Sequence, residues 1–153
     1  MTTYYVDSSA LVKRYVNETG SDWLQALCTP AAGHTSALAH IGLVELAAAL
    51  AMKVRQGTLD ATTRDALLRD VQHDAMAQYW LIDVDQEIVV RAMALTRIYK
   101  LRGYDALHLA SALFLRDTLQ GYGLTAPVVL TADLDLLDAV QAEGLLVEDP
   151  NQH

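Results

Sequence analysis

The chain has 153 residues, 52% hydrophobic and 20% charged, which suits one folded domain and excludes a disordered chain. Its formal net charge is −8 and unevenly spread: Arg116 is the last basic residue, and seven acids follow it. A broad electrostatic nucleic-acid binder is basic, so any polyanion this chain meets must be held by a local basic patch or by metal ions.

Cys28 is the only cysteine, which excludes an internal disulfide and a zinc–thiolate cage. The first residues carry neither the basic nor the apolar region of a signal peptide. The apolar run 37–52 is interrupted by His40 and Glu45 and is too short for a membrane span. A cytoplasmic protein is expected, with no membrane partner.

In chain order, 3–6 reads as a short strand of β-formers. Ser8 and Ser9 offer caps for a helix carrying Leu11, Val12 and Tyr15. A second short helix starts at Ser21, with Trp23, Leu24 and Leu27 inward. A strand near 33–36 leads into a long helix over 37–56, and Gly57 stands where a helix stop is expected. Over 62–78, Leu67, Leu68, Val71 and Ala75 recur at helical spacing, with Arg64, Asp65, Arg69, Asp70 and Asp74 outward. These two helices suggest a hairpin.

A strand follows at 80–84. Asp85 then caps a helix over 86–100, and a further helix runs from Tyr104 or Asp105 to Leu119. Gly121 and Gly123 mark a loop, 127–131 a strand, 133–143 a helix and 145–147 a last strand. Short strands alternating with helices predict an α/β fold, its parallel sheet covered on both faces.

Four acids stand out. Asp7 directly follows the first strand, and Asp133 lies just after the fourth, so both should point at the carboxyl edge of the sheet, where such folds bind ligands. Taken singly, each is first a helix cap, a position that Asp favours. Glu45 is the only charged residue between Trp23 and Met52, on a helix apolar nearly all round. A carboxylate there needs compensation from elsewhere: an Arg, a metal ion or a wet cleft. Asp105 opens another apolar helix with no charge of its own until Arg116, where the helix dipole alone would favour it. Four carboxylates converging in one cleft could not all ionise unaided. Hard divalent cations resolve this, and such sites hydrolyse phosphodiesters.

The segments Val-Asp7-Ser8-Ser9-Ala-Leu-Val, Leu-Val-Glu45-Leu, Gly-Tyr-Asp105-Ala-Leu-His-Leu-Ala and Leu-Thr131-Ala-Asp133 resemble, in order, the motifs of PIN-domain proteins. The subgroup they resemble is the VapC-type toxins of bacterial toxin–antitoxin pairs. The resemblance spans residue 4 to about residue 148. It implies one PIN-like three-layer domain over 1–150, with a five-stranded parallel sheet between helices and 151–153 as a tail. It also implies a Mg²⁺- or Mn²⁺-dependent endoribonuclease with Asp7, Glu45, Asp105 and Asp133 as catalytic metal ligands. Ser9 and Thr131 match polar positions that support such ligands through hydrogen bonds.

Arg97, Lys100 and Arg102 form the densest basic run, and Lys13 and Arg14 closely follow Asp7. Both groups are candidates for the RNA backbone, although a solvated helix end also explains the first. His108, one turn after Asp105, is read as a packed or hydrogen-bonded histidine. A toxin needs restraint, so a small antitoxin protein is expected, placing a basic residue among the four acids. Apolar excess on the helices of 37–78 suggests a homodimer. Two other readings compete: a catalytically silent PIN-like binding module, and an aspartyl-phosphate phosphatase. The latter wants a further Asp two residues after Asp7, where Ser9 stands.

Overall fold

Each short apolar run of the sequence becomes a strand of one sheet. In the computed structural model, which describes residues 1–153, these are β1 (Thr3–Val6), β2 (Thr35–Ala39), β3 (Tyr79–Ile82), β4 (Val128–Leu130) and β5 (Leu146–Glu148). All pair in parallel, in the order β3-β2-β1-β4-β5. The helices are α1 (Ser8–Tyr15), α2 (Ser21–Cys28), α3 (Gly42–Arg55), α4 (Ala61–Ala77), α5 (Gln86–Leu95), α6 (Gly103–Gly121) and α7 (Leu134–Ala142). This is the five-stranded α/β architecture expected.

Alternation along the strands divides the core between the two faces, as period-two geometry requires. Tyr5, Ala37, Ala39 and Val129 face α5, α6 and α7. Val6, Leu38 and Leu130 face α1 to α4. Ala37 and Ala39 share this core with Ala106 and Ala110 of α6, and such small side chains let a helix lie close on a sheet. α6 is buried almost all round, from Ala106 through Leu115, because it sits between the sheet and α5 and α7. No helix is long and apolar enough to cross a membrane.

β1 lies at the centre, and the chain leaves it in opposite directions: towards β2 and β3 on one side, β4 and β5 on the other. Such a switch point opens a crevice at the carboxyl ends of the strands. Pairing of Val6 with Leu130 sets the residues that follow, Asp7 and Thr131, side by side there.

Several boundaries differ from the sequence reading. β2 continues through Ala39, and the helix starts only at Gly42. A central strand buried on both faces is apolar without alternation, so its alanines resemble a helix start. α5 stops at Leu95, where the Thr96 hydroxyl bonds back to Met93 and the next turns tighten to i→i+3 bonds. α6 runs through Gly121 rather than ending at Leu119. Asp74, expected outward on α4, instead turns towards α1.

Two glycines are required by geometry. Gly57 has φ 76° just past the end of α3, the left-handed stop that closes a helix. Gly20 has φ 86°, and a Cβ there would lie 2.2 Å from the Pro150 carbonyl oxygen. The C-terminal turn (Pro150–Gln152) therefore packs against the start of α2, where the His153 ring stacks on Trp23 at 3.9 Å.

Candidate active site

Asp7 closes β1 and caps α1. Its Oδ1 accepts from the Ala10 amide at 2.9 Å, as a helix N-cap does. The Ser9 hydroxyl donates to Oδ1 at 2.7 Å, and the Thr131 hydroxyl donates to Oδ2 at 2.8 Å. Ser9 Oγ also accepts from the Ala132 amide and Thr131 Oγ1 from the Asp133 amide, so the two hydroxyls join the ends of β1 and β4. The Asp7 side chain is thus oriented from three sides, in a residue only 2% exposed. Burial raises its pKa; the nearby His108 and these hydrogen bonds pull the other way without cancelling it.

Asp133 caps α7, its Oδ1 accepting from the Leu136 amide at 3.0 Å. Asp105 stands in the first turn of α6. Its pKa is raised by burial and then by the charges of Asp133, Asp7 and Glu45, with His108 opposing. Glu45 projects from the first turn of α3, where His108 Nε2 lies 2.5 Å from its Oε1. The compensation that Glu45 needed comes from this imidazole, 63 positions away in sequence.

His108 Nδ1 is 2.8 Å from the Tyr5 hydroxyl. Burial, with Asp7 nearby, pushes the Tyr5 phenol up, so it keeps its proton at neutral pH. Burial by itself would lower the His108 pKa; the hydrogen bond to Glu45 and the fields of Asp7, Glu45 and Asp105 outweigh it, leaving it raised.

All four acids line one open cleft of about 430 Å³, with Ser8, Ser9 and Arg55 among its polar walls and Val12, Ala48, Ala49 and Met52 among its apolar ones. The set is hard oxygen donors, the type that suits Mg²⁺ and Mn²⁺. No three of the side chains are drawn together into a finished metal cage. The residues fit a hard cation by donor chemistry, and a cation would offset the neighbouring carboxylate charges that push the Asp105 pKa up.

A model of the PIN domain matches residues 4–142. The chain belongs to the PIN-domain family. It is similar to the ribonuclease VapC45 of Mycobacterium tuberculosis, 35% identical over 122 residues that span 76% of this chain and 79% of the relative. Its fold is similar to that in the crystal structure of VapBC2 from Rickettsia felis bound to a promoter DNA fragment, with a TM-score of 0.62 at 14% identity, covering 97% and 98% of the two chains. It also resembles a toxin–antitoxin complex from Klebsiella pneumoniae, with a TM-score of 0.58 at 18% identity, covering 96% and 97%. Its recognition as a VapC-type PIN domain rests on these together.

Other candidates divide. Lys13 is buried and paired with Glu18 at 3.3 Å. Arg14 is held by Tyr79, Gln78 and Asp74. Neither lines the cleft, so both leave the set of RNA-backbone candidates: nearly two turns of helix after Asp7 carry them away from the sheet edge and into the packing of α1. Arg97, Lys100 and Arg102 stay exposed, although Lys100 lies 3.5 Å from Asp135. Arg55 was missed by sequence reasoning and is the basic side chain on the cleft wall of this PIN domain. Its signal was available: Arg55 lies ten positions after Glu45, close to three turns of one helix.

Proposed function

We propose that this chain is a Mg²⁺- or Mn²⁺-dependent endoribonuclease toxin of the cytoplasm, restrained by a small antitoxin protein. The observation that carries this reading is the single cleft at the switch point of the sheet, into which four motif acids project from four different elements. A bound cation would supply acidified water and charge neutralisation at a phosphodiester. Asp7, Glu45, Asp105 and Asp133 would hold it. Ser9 and Thr131 keep the Asp7 carboxylate aimed, while the N-termini of α6 and α7 place partial positive charge behind Asp105 and Asp133. Arg55 offers the RNA backbone a charge on the cleft wall, and Arg97, Lys100 and Arg102 offer further ones outside it.

The name of the mycobacterial relative supports a ribonuclease, and the Klebsiella complex supports an antitoxin partner. A basic residue of that partner, set among the four acids, would offset their charge and exclude a cation. An apolar groove between α3 and α4, with Val44 and Met76 exposed, supports the homodimer read from 37–78. The phosphatase reading is weakened by Ser9, which stands two residues after Asp7 where that chemistry wants a further Asp and instead donates to the Asp7 carboxylate.

The test is cleavage of a structured RNA pool with Mg²⁺, Mn²⁺ or EDTA. Wild type should cut only with metal, and Asp7→Asn and Asp105→Asn should lose orders of magnitude while staying folded. Cleavage in EDTA refutes the metal site. No RNA cleavage by a folded wild type, with Mn²⁺ bound, favours the binding module.

A further inference from the structure

Of the four acids, Glu45 has the longest side chain, and its own helix gives that carboxylate no hydrogen bond. Asp7 and Asp133 are fixed by the amides of the helices they cap. Asp105 is short and lies at the start of α6. Glu45 accepts no backbone bond within α3, and its side chain has three rotatable torsions. What holds it is one contact, from His108 Nε2 to Oε1. Oε2 has no hydrogen-bond partner and remains free for a ligand.

The imidazole is well placed for this. His108 is 1% exposed, deep in α6. A carboxylate only accepts, so the hydrogen must sit on Nε2 whatever the charge of the ring. The other nitrogen meets the Tyr5 hydroxyl, which can donate to a bare Nδ1 or accept from a protonated one. Tyr5 is itself fully buried in the central strand. Gly42, one turn before Glu45, leaves room for the ring: a Cβ there would lie 3.5 Å from His108 Cε1. The chain Tyr5–His108–Glu45 thus runs from the middle of the sheet to the cleft.

We propose that His108 is the positioning residue for Glu45, fixing through Nε2–H the carboxylate that faces the cleft, with Tyr5 holding the imidazole in orientation. This deepens the metal-nuclease reading and rests on it for its consequence, but the contact itself does not. Histidines that brace carboxylates or ligands in this way commonly change metal affinity by about 10- to 100-fold when replaced.

The test uses two amides of similar polarity. His108→Gln places its NH₂ where Nε2 was and keeps the donor to Glu45. His108→Asn places its NH₂ where Nδ1 was and keeps only the Tyr5 side. Mn²⁺ affinity is measured by calorimetry on the whole chain without RNA, and RNA cleavage is followed separately. Gln should stay within about 3-fold of wild type and Asn should weaken Mn²⁺ binding by about 10-fold or more. In the Glu45→Gln background the two should become equal, since the carboxylate they act through is gone.

Equal affinities of the Gln and Asn variants in the wild-type background overturn the proposal; so does a difference that persists with Glu45→Gln. The imidazole ¹⁵N–¹H spectrum gives an arm without metal: a downfield Nε2–H resonance in wild type that is lost in Glu45→Gln supports the contact, and its absence in wild type overturns it. A wild type that shows this resonance but binds no Mn²⁺ sinks the metal-site reading and leaves the positioning contact standing.

Discussion

Arg14→Ala separates a structural cation from a substrate-binding one. The guanidinium donates to the Tyr79 hydroxyl at 2.7 Å and to Gln78 at 3.0 Å, and lies 3.4 Å from Asp74. It stands over the rings of Tyr15 and Tyr79 at 5.6 and 5.2 Å. The Arg14 and Asp74 side chains are only 13% and 15% exposed. Removing one partner of a buried pair costs about 3–5 kcal/mol. Here Asp74 keeps donors from the Tyr15 hydroxyl and the Gln78 amide, and some solvent reaches it. That places the loss below this range, at about 2–3 kcal/mol, to which a lost cation–π contact adds about 0.5–1 kcal/mol. At roughly 2–4 °C per kcal/mol for a chain of this size, the melting temperature should fall by about 5–16 °C. The assay pairs urea denaturation with RNA binding measured well below the transition. Arg14→Ala should lose stability and keep RNA affinity. Arg55→Ala should do the reverse, keeping stability while weakening binding and flattening its salt dependence. An Arg14→Ala protein with unchanged stability and weakened RNA binding would refute the assignment of Arg14 to the core.

Millimolar Mn²⁺ should raise the melting temperature of wild type, because a ligand of the native cleft alone stabilises by mass action, and Glu45→Gln should reduce the rise; scanning fluorimetry checks both. Thr131→Val removes the hydroxyl that donates to Asp7 and accepts from the Asp133 amide, and should slow RNA cleavage by about 10- to 100-fold, read in the initial rate with saturating metal. Gly20→Ala forces a left-handed backbone onto alanine and a methyl into the Pro150 carbonyl. It should cost about 1–3 kcal/mol in urea melts and alter the fluorescence of Trp23 as the stacked C-terminus detaches.

Much of this protein was legible along the chain because its signals act over a few residues. Asp85 and the Ala61–Ala77 helix stand where capping and periodicity put them, and Gly57 ends α3 as expected. Alternation of strand and helix was enough for a parallel sheet, and a parallel sheet was enough to aim Asp7 and Asp133 at one edge. Local pattern failed where burial on both faces erased it: Ala37–Ala39 belong to β2, though their composition is that of a helix.

Charge pairing was the part that only tertiary structure decided. Coulomb energy depends on distance in space, and sequence spacing reports that distance only within one element. Arg14 lies next to the Asp7 motif in sequence but spends its charge on Asp74, 60 positions away, while Arg55 reaches the cleft from the far end of α3. The partner of Glu45 could not be found at any helical spacing along α3. It was supplied by His108 of α6, which the sequence marked as packed or hydrogen-bonded but whose partners, Glu45 and Tyr5, lie on other elements and could be named only once the chain had folded.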